Sequence, residues 1–380
     1  MEIHCFCGVS IDRCNGILHT YHDNLWSFCP MKSYFRPEID AIAGYAPGEQ
    51  PKMSNLIKLN TNENPYPPSP EVLKVLHNFD PARLRRYPDP TADGLRDIFA
   101  ASVNMKRENV IIGNGSDDLL TMIFRAFTDK DRSVAVFEPT YSLYPVLAAM
   151  QGAEVTRIAL DKENFSYPDN AVELAGDANL LIITRPNAPT GNCADKELVR
   201  NICRNFDGIV LIDEAYSDFA ADNCSEFAAE FDNVLVMRTF SKGSSMAGLR
   251  LGYAFGNKIL IDGLMKLKDS YNVDMLSQEL AKANFLDVQY RAECTAKIIA
   301  DREKLTGELQ KLGFKVIPSQ ANFLFASPPD GDGAGAFAAL REEAVIVRYF
   351  PGEITGKYLR ITIGTPEENA RLLEVLAKRY

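Results

Sequence analysis

Positive charge is scarce in this 380-residue chain, and long apolar runs are lacking. The 41 Lys and Arg face 51 Asp and Glu, which leaves a net charge of -10 with no locally basic stretch. Nucleic-acid binding, which needs a basic face, is therefore excluded as the main task. No apolar run approaches the roughly 18–20 residues of a membrane span, so no membrane association is expected.

Histidine is also rare, and beyond residue 30 only His77 remains, in a stretch that reads as a surface helix. A Ser-His-Asp or Cys-His hydrolase requires a well-placed histidine base. That chemistry is therefore excluded.

The first 30 residues hold four of the eight cysteines, three of the four histidines and the only tryptophan: Cys5, Cys7, Cys14, Cys29, His4, His19, His22 and Trp26. A zinc site is the alternative here, but no Cys-x2-Cys pair or other regular ligand spacing occurs, and we expect no metal. We interpret residues 1–30 as a leader outside the fold, with Met31 as a candidate native start. They do not resemble a secretion signal, so reduced thiols and a cytoplasmic location are expected.

Short apolar runs alternate with helical stretches from about residue 105 to 260. The runs span residues 110–112, 134–137, 180–183, 209–212 and 234–237. Such continuous apolar strands are typical of a mostly parallel sheet covered by helices on both faces, and they predict an α/β fold.

The pattern changes after about residue 280, where a long helix and the short strands 322–325, 345–347 and 359–363 are predicted. Thr365, Pro366 and Glu368 then form the start signal of a final helix. We predict a smaller α+β domain over 31–60 and 281–380, beside a large domain over 61–280.

Polar motifs directly follow the last three apolar runs of the large domain. They contain Asn187, then Asp213 with Tyr216, then Lys242 with Arg250 farther along. Ligands of open α/β sheets bind beyond the carboxyl ends of strands, which favours one shared site. Asn, Asp, Tyr, Lys and Arg in this order are the groups that hold pyridoxal 5′-phosphate (PLP).

Each of these side chains has a predicted role and a structural alternative. Lys242 would bond covalently to PLP and later act as the base, rather than being a surface lysine. Asp213 would pair with the pyridine nitrogen, rather than only cap a helix. Tyr216 and Asn187 would bind the ring 3′-oxygen, although the Asn187 motif also suits an ordinary turn. Tyr141 would stack on the ring, the alternative being a core aromatic.

The cofactor phosphate is predicted to bind at a helix start between residue 112 and an amphipathic stretch. Gly115, Ser116 and Asp117 lie at this start, where backbone N–H groups favour anions. Ser241 and Arg250 would complete the site, with arginine as a fixed charged fork.

Together these motifs resemble a known family. Residues 187–191, 213–216, 241–242 and 248–253 resemble the fold-type I, class I/II aminotransferases. Four further segments are similar to the histidinol-phosphate aminotransferase branch: 59–66, 113–117, 345–348 and 359–364. The resemblance runs from about residue 34 to the C-terminus. Pro67, where the branch often has glycine, and residues 243–246, which replace an Ala-aromatic-Gly-Leu sequence, depart from it.

The resemblance implies a homodimer whose active sites lie at the subunit boundary. It assigns Tyr66 to the cofactor phosphate of the partner subunit. Tyr45, Asn322, Arg348 and Arg360 would surround the substrate. The two arginines would grip its anionic end, because their planar donors match phosphate or carboxylate.

The implied reaction exchanges an amino group between histidinol phosphate and 2-oxoglutarate. An aromatic amino-acid aminotransferase and a threonine-phosphate decarboxylase are alternatives within the same fold. A non-catalytic PLP sensor fused to a DNA reader would need a basic helix-turn-helix domain, and no segment supplies one.

Overall fold

The computed structural model of the protein describes residues 33–380. The cysteine- and histidine-rich leader, with its interpretation as a segment outside the fold, lies outside the described residues. The chain divides into two units, Met1–Arg36 and Pro37–Tyr380. In the described part of the first unit, the backbone N–H of Phe35 donates to Ser33 Oγ.

The second unit alternates strands with helices. Its strands are β1 (Ile57–Leu59), β2 (Val110–Gly113), β3 (Val134–Glu138), β4 (Val155–Ala159), β5 (Leu180–Thr184), β6 (Ile209–Asp213), β7 (Val234–Thr239), β8 (Gly252–Gly256), β9 (Lys315–Ile317), β10 (Phe323–Ser327), β11 (Val345–Tyr349) and β12 (Leu359–Thr362). Its helices are α1 (Pro37–Asp40), α2 (Pro70–Asn78), α3 (Asp93–Ser102), α4 (Ser116–Phe127), α5 (Leu143–Gln151), α6 (Ala171–Ala175), α7 (Lys196–Asn205), α8 (Phe227–Glu230), α9 (Lys258–Met265), α10 (Met275–Leu286), α11 (Val288–Lys311), α12 (Gly333–Glu342) and α13 (Pro366–Ala377). Short 3-10 helices span Pro81–Arg85, Arg107–Asn109, Ser217–Phe219, Ala247–Leu249 and Thr355–Lys357.

The larger sheet has the strand order β2-β8-β7-β6-β5-β3-β4. All neighbouring pairs are parallel except those of β8, which runs antiparallel to β2 and β7. Side chains alternate between two buried clusters: Leu181 and Ile183 face one, Leu180 and Ile182 the other. The prediction of a mostly parallel sheet buried on both faces is thus confirmed.

The smaller sheet has the order β1-β11-β12-β10-β9 and is antiparallel except for the β1–β11 pair. On β11 and β12 the paired positions include Arg348 and Arg360, which brings the two arginines side by side. The predicted division into a large and a small domain stays a prediction.

The predicted start signal of the last helix is confirmed. At the start of α13, Thr365 and Glu368 form a reciprocal capping box, and proline stands at its first position. Beyond the end of α11, Gly313 has φ +82°, a left-handed conformation that favours glycine. In residues 33–380, every helix is too short or too polar to traverse a lipid bilayer.

Four strands were not predicted from the sequence: β1, β4, β8 and β9. Three of them lie at sheet edges, and β1 and β9 have three residues each. Strands this short carry too little periodicity to be recognised. Strand β8 begins and ends with glycine, a residue depleted from strands, which hides its propensity.

Candidate active site

Lys242 lies just beyond the carboxyl end of β7, at the floor of a cavity of about 500 Å³. Its Nζ donates a hydrogen bond to the Thr61 carbonyl oxygen at 2.7 Å. Burial and the nearby Arg360 guanidinium lower the pKa of the Lys242 amine to about 7, and Glu63 opposes this shift. A substantial fraction of the amine is therefore an unprotonated nucleophile near neutral pH.

Asp213 is the last residue of β6, and its carboxylate is buried in the same cavity. It accepts hydrogen bonds from the Tyr144 hydroxyl at 2.7 Å and the Ala215 backbone N–H at 3.0 Å. Burial raises the pKa of this carboxyl to about 6. Within residues 33–380, no lysine or arginine forms an ion pair with it, so it is suited to pair with a cationic ligand.

Aromatic side chains cover the cavity near these two groups. The Tyr216 hydroxyl accepts a hydrogen bond from Asn62 Nδ2 at 2.9 Å. Tyr141 meets Tyr45 edge-on at 5.8 Å and Tyr144 edge-on at 5.5 Å. Burial raises the pKa values of the Tyr141 and Tyr216 hydroxyls, which therefore stay protonated near neutral pH.

The first turn of α4 is a candidate anion site. Ser116 opens this helix, and Arg250 Nη1 donates to Ser241 Oγ at 3.2 Å. A Cβ on Gly115, which has φ +90°, would lie 2.6 Å from Arg250 Nη2, so glycine permits the close approach of the guanidinium. Arg250 Nη2 also lies 3.2 Å from Asp117 Oδ2. Helix N–H groups and a guanidinium together favour a phosphate.

Arg348 and Arg360 also line the cavity, and both guanidinium groups stand over the ring of Phe350 at 5.3 Å. Arg360 Nη2 donates to the Asn60 carbonyl at 2.8 Å, whereas its buried Nε has no hydrogen-bond partner in the part of the chain that the structure describes. Burial lowers the pKa of Arg360, and so does the neighbouring Arg348. An anionic group would relieve both effects.

Arg348 also makes two hydrogen bonds that the sequence does not predict. It donates to the carbonyls of Pro47 at 3.3 Å and Ala46 at 3.2 Å. These carbonyls belong to residues 41–50, a segment along the cavity that we call the strap. Arg341 pairs with Glu49 of the strap as well, so arginines of the small sheet and α12 hold it in place.

Most of the predicted site residues line this one cavity: Tyr45, Ser116, Asp117, Tyr141, Asp213, Tyr216, Ser241, Lys242, Arg250, Arg348 and Arg360. Gly115 lies behind Arg250, outside the lining. Asn187 also lies outside it, and its Nδ2 donates to the Pro139 carbonyl and to Thr190 Oγ1. Asn322 donates to the Asn62 carbonyl at 3.0 Å.

Tyr66 is not brought into the cavity either. Its hydroxyl lies 3.4 Å from Asp301 Oδ2, and its ring faces the Lys297 amine at 5.3 Å. Its role toward a partner subunit stays a prediction.

Sequence reasoning missed several residues that the structure places at the site. Thr61, Asn62 and Glu63 lie in the segment that carried the family resemblance, but no role was assigned to them. The Glu63 carboxylate accepts hydrogen bonds from Lys58 and Thr61, and although burial opposes ionisation these bonds hold its pKa below its usual value. The polar sequence of these three residues was the signal that could have indicated a role. No sequence signal indicated the role of Tyr144, because its contact with Asp213 joins residues that are far apart in the chain.

These groups fit PLP. The helix start at Ser116 with Arg250 suits its phosphate, the buried Asp213 suits a protonated ring nitrogen, and the Lys242 amine suits a reaction with an aldehyde.

Known proteins are similar to this chain over most of its length. The family model described as aminotransferase class I and II matches residues 54–376. Histidinol-phosphate aminotransferase 1 of Trichormus variabilis is 41% identical over 347 residues, which cover 91% of this chain and 99% of that protein. Histidinol-phosphate aminotransferase of Clostridium botulinum is 40% identical over 352 residues, covering 92% and 99% of the two chains.

A solved structure shares the fold. The crystal structure of histidinol-phosphate aminotransferase from Sinorhizobium meliloti, in complex with pyridoxal-5′-phosphate, superposes with a TM-score of 0.82 at 21% identity. The match covers 92% of this chain and 100% of that chain. The predicted fold-type I architecture is thereby confirmed.

Proposed function

Since the chain belongs to the class I and II aminotransferase family, we propose that it transfers the amino group of histidinol phosphate to 2-oxoglutarate with PLP as cofactor. The observation that carries the proposal is one cavity lined by Lys242, Asp213 and the arginine pair Arg348 and Arg360. The relatives at 40–41% identity are named histidinol-phosphate aminotransferases, and this chain matches them over nearly their whole length. The aromatic aminotransferase and the decarboxylase are therefore not favoured.

The residues that would hold PLP divide by the part of the molecule they face. Asp213 would hold the ring nitrogen, Tyr216 and Asn187 the 3′-oxygen, and Tyr141 the ring face. The phosphate would lie at the start of α4, among residues of three segments: Gly115, Ser116, Asp117, Ser241 and Arg250. When bound, PLP supplies an electron sink that stabilises the negative charge on the substrate carbon as its proton leaves.

Lys242 is the group that would hold PLP covalently and move the proton. Its Nζ would take the proton from the amino-bearing carbon of the substrate. With a pKa of about 7, the amine can accept this proton and return it at similar cost. The Thr61 carbonyl orients Nζ at 2.7 Å.

The anionic end of the substrate would bind to Arg348 and Arg360. Histidinol phosphate carries a phosphate and no carboxylate, and a dianion makes better use of two guanidinium groups than a carboxylate does. Tyr45, on the strap, would close over the substrate, and Asn322 would support this end of the cavity through Asn62.

We further propose a homodimer in the cytoplasm, with Tyr66 reaching the partner's phosphate site. Tyr66 lies outside the cavity of its own chain, which supports that role. Large apolar side chains stand exposed shortly after it in the sequence: Leu73, Leu76, Leu84 and Tyr87. Burial of such side chains is the usual driving force for subunit association.

The test is a panel of amino donors and acceptors with purified, PLP-loaded protein. Histidinol phosphate with 2-oxoglutarate should give the highest kcat/KM. Faster turnover of phenylalanine or tyrosine, or carbon dioxide release from a phosphorylated amino acid, would overturn the substrate assignment. Sedimentation at several protein concentrations checks the dimer.

A further inference from the structure

Tyr144 is completely buried, yet its hydroxyl reaches the functional carboxylate. The oxygen lies 2.7 Å from Asp213 Oδ2 and 2.8 Å from Thr184 Oγ1. Tyr144 comes from α5, whereas Thr184 and Asp213 are paired positions at the ends of β5 and β6. Three elements of the fold thus converge on one hydroxyl.

The hydrogen bond from Tyr144 to Asp213 is not needed merely to satisfy a buried hydroxyl. A buried tyrosine needs a hydrogen-bond partner, and Thr184 alone would satisfy it. The edge-on packing of the Tyr144 ring against Tyr141, at 90°, fixes the direction of the hydroxyl. Donation to Asp213 is charge-assisted and is therefore the stronger of its two hydrogen bonds.

Among the described residues, the charged groups that most affect Asp213 disfavour its ionised form. Asp117 from α4 and the adjacent Glu214 are negative and disfavour the charge, as burial does. Tyr216 faces it from the following turn, without a hydrogen bond to it. In the described part of the chain, the only hydrogen bonds to the Asp213 carboxylate come from Tyr144 and the Ala215 N–H.

We propose that Tyr144 is a positioning residue, which donates its hydroxyl proton to Asp213 Oδ2 and so holds that carboxylate ionised and aimed into the cavity. The proposal rests on the proposed function, because the ionised carboxylate would be needed to hold the ring nitrogen of PLP. Thr184 takes part, since its hydroxyl can donate to the Tyr144 oxygen while Tyr144 donates to Asp213. Such a chain of hydrogen bonds strengthens each of its members.

The matched variants are Tyr144→Phe and Tyr167→Phe. Tyr167 is also buried, and its hydroxyl donates to the Thr184 carbonyl at 3.1 Å, but it makes no hydrogen bond to Asp213. Both variants lose one buried hydroxyl near Thr184, and only the first loses a donor to the carboxylate.

The readout is the titration of the Asp213 carboxyl in the cofactor-free protein, followed by 13C NMR with labelled aspartate. Loss of one hydrogen bond to a charged group should lower its acid dissociation constant about tenfold or more in Tyr144→Phe. Tyr167→Phe should titrate as the parent does. An unchanged midpoint in Tyr144→Phe, or equal shifts in both variants, would overturn the proposal.

Two further measurements test the proposal if the Tyr144→Phe variant folds poorly. Placing 3-fluorotyrosine at position 144 keeps the shape and makes the phenol a stronger donor, so Asp213 should become a stronger acid. The dissociation constant of PLP, from visible absorbance, should rise roughly tenfold in Tyr144→Phe and stay constant in Tyr167→Phe. Opposite or absent shifts count against Tyr144. Failure of the parent to bind PLP would refute the proposed function, whereas the carboxyl titration would still decide the Tyr144 contact.

Discussion

Replacing Asp213 by asparagine should stabilise the cofactor-free protein and disable the cofactor-loaded enzyme. Burial raises the pKa of this carboxyl from 3.8 to about 6, so the folded state binds the proton more tightly than the unfolded state does. The folded protein therefore loses stability as the pH rises from about 4 to 6, and the full cost remains above pH 6. At 1.36 kcal/mol for each pKa unit, that cost is about 3 kcal/mol.

Asparagine removes this cost without losing the two hydrogen bonds. Its Oδ1 can accept from the Ala215 N–H, and its amide can donate to the Tyr144 oxygen, because Tyr144 can turn its own proton toward Thr184. In the loaded enzyme the same change removes the charge that we propose pairs with the ring nitrogen. We expect kcat to fall by an amount on the order of several kcal/mol of transition-state stabilisation.

The assay is denaturant unfolding of cofactor-free protein at pH 5 and pH 8. The gain of Asp213→Asn should be about 3 kcal/mol at pH 8 and about half of that at pH 5. Asp117→Asn is the control, since its carboxylate lines the same cavity but is about half exposed. A gain independent of pH, or a similar gain in Asp117→Asn, would refute the reasoning. A loaded Asp213→Asn enzyme within twofold of the parent would show that the carboxylate only caps the following turn.

Three further outcomes are expected. Lys242→Ala should abolish turnover and the visible absorbance of the covalently held cofactor, although PLP can still bind through its phosphate; normal transamination by this variant would contradict the central assignment. Arg348→Ala should lower kcat/KM for histidinol phosphate more than for phenylalanine, and the difference should correspond to roughly 2–4 kcal/mol of transition-state stabilisation. Arg341→Ala, which loosens the strap at Glu49 without removing a cavity charge, is its control, and equal losses on both substrates would point to an aromatic aminotransferase. Deletion of residues 1–30 should leave activity and thermal stability nearly unchanged, because this segment has no periodic apolar face; dependence of activity on added zinc would show otherwise.

Local sequence patterns were sufficient to predict the main strands and the order of the motifs along the chain. The apolar runs before Asp213 and Lys242 predicted β6 and β7 because a doubly covered strand is apolar at consecutive positions. The motif residues come directly after these strands, so their meeting at one sheet edge followed from parallel topology. The start of α13 was equally local, since its cap needs only Thr365 and Glu368.

Other features depend on contacts between distant parts of the chain. Asn62 and Tyr216 bond across 154 positions, and Tyr144 and Asp213 across 69. No local pattern specifies such a pair. The apolar residues around Tyr144 in the sequence predict that it is buried, but they do not indicate which residue its hydroxyl contacts.

What the sequence alone determined is therefore the set of candidate groups: an amine, a carboxylate, a helix start suited to an anion and two arginines, in an order set by successive strands. The tertiary structure decided how these groups behave. Folding buries Lys242 beside Arg360, and it buries Asp213 without an ion-pair partner among residues 33–380; the pKa of the amine falls to about 7 and that of the carboxyl rises to about 6. The physical reason is that pKa values depend on desolvation and on charges a few ångströms away, and both are set only when distant segments pack together.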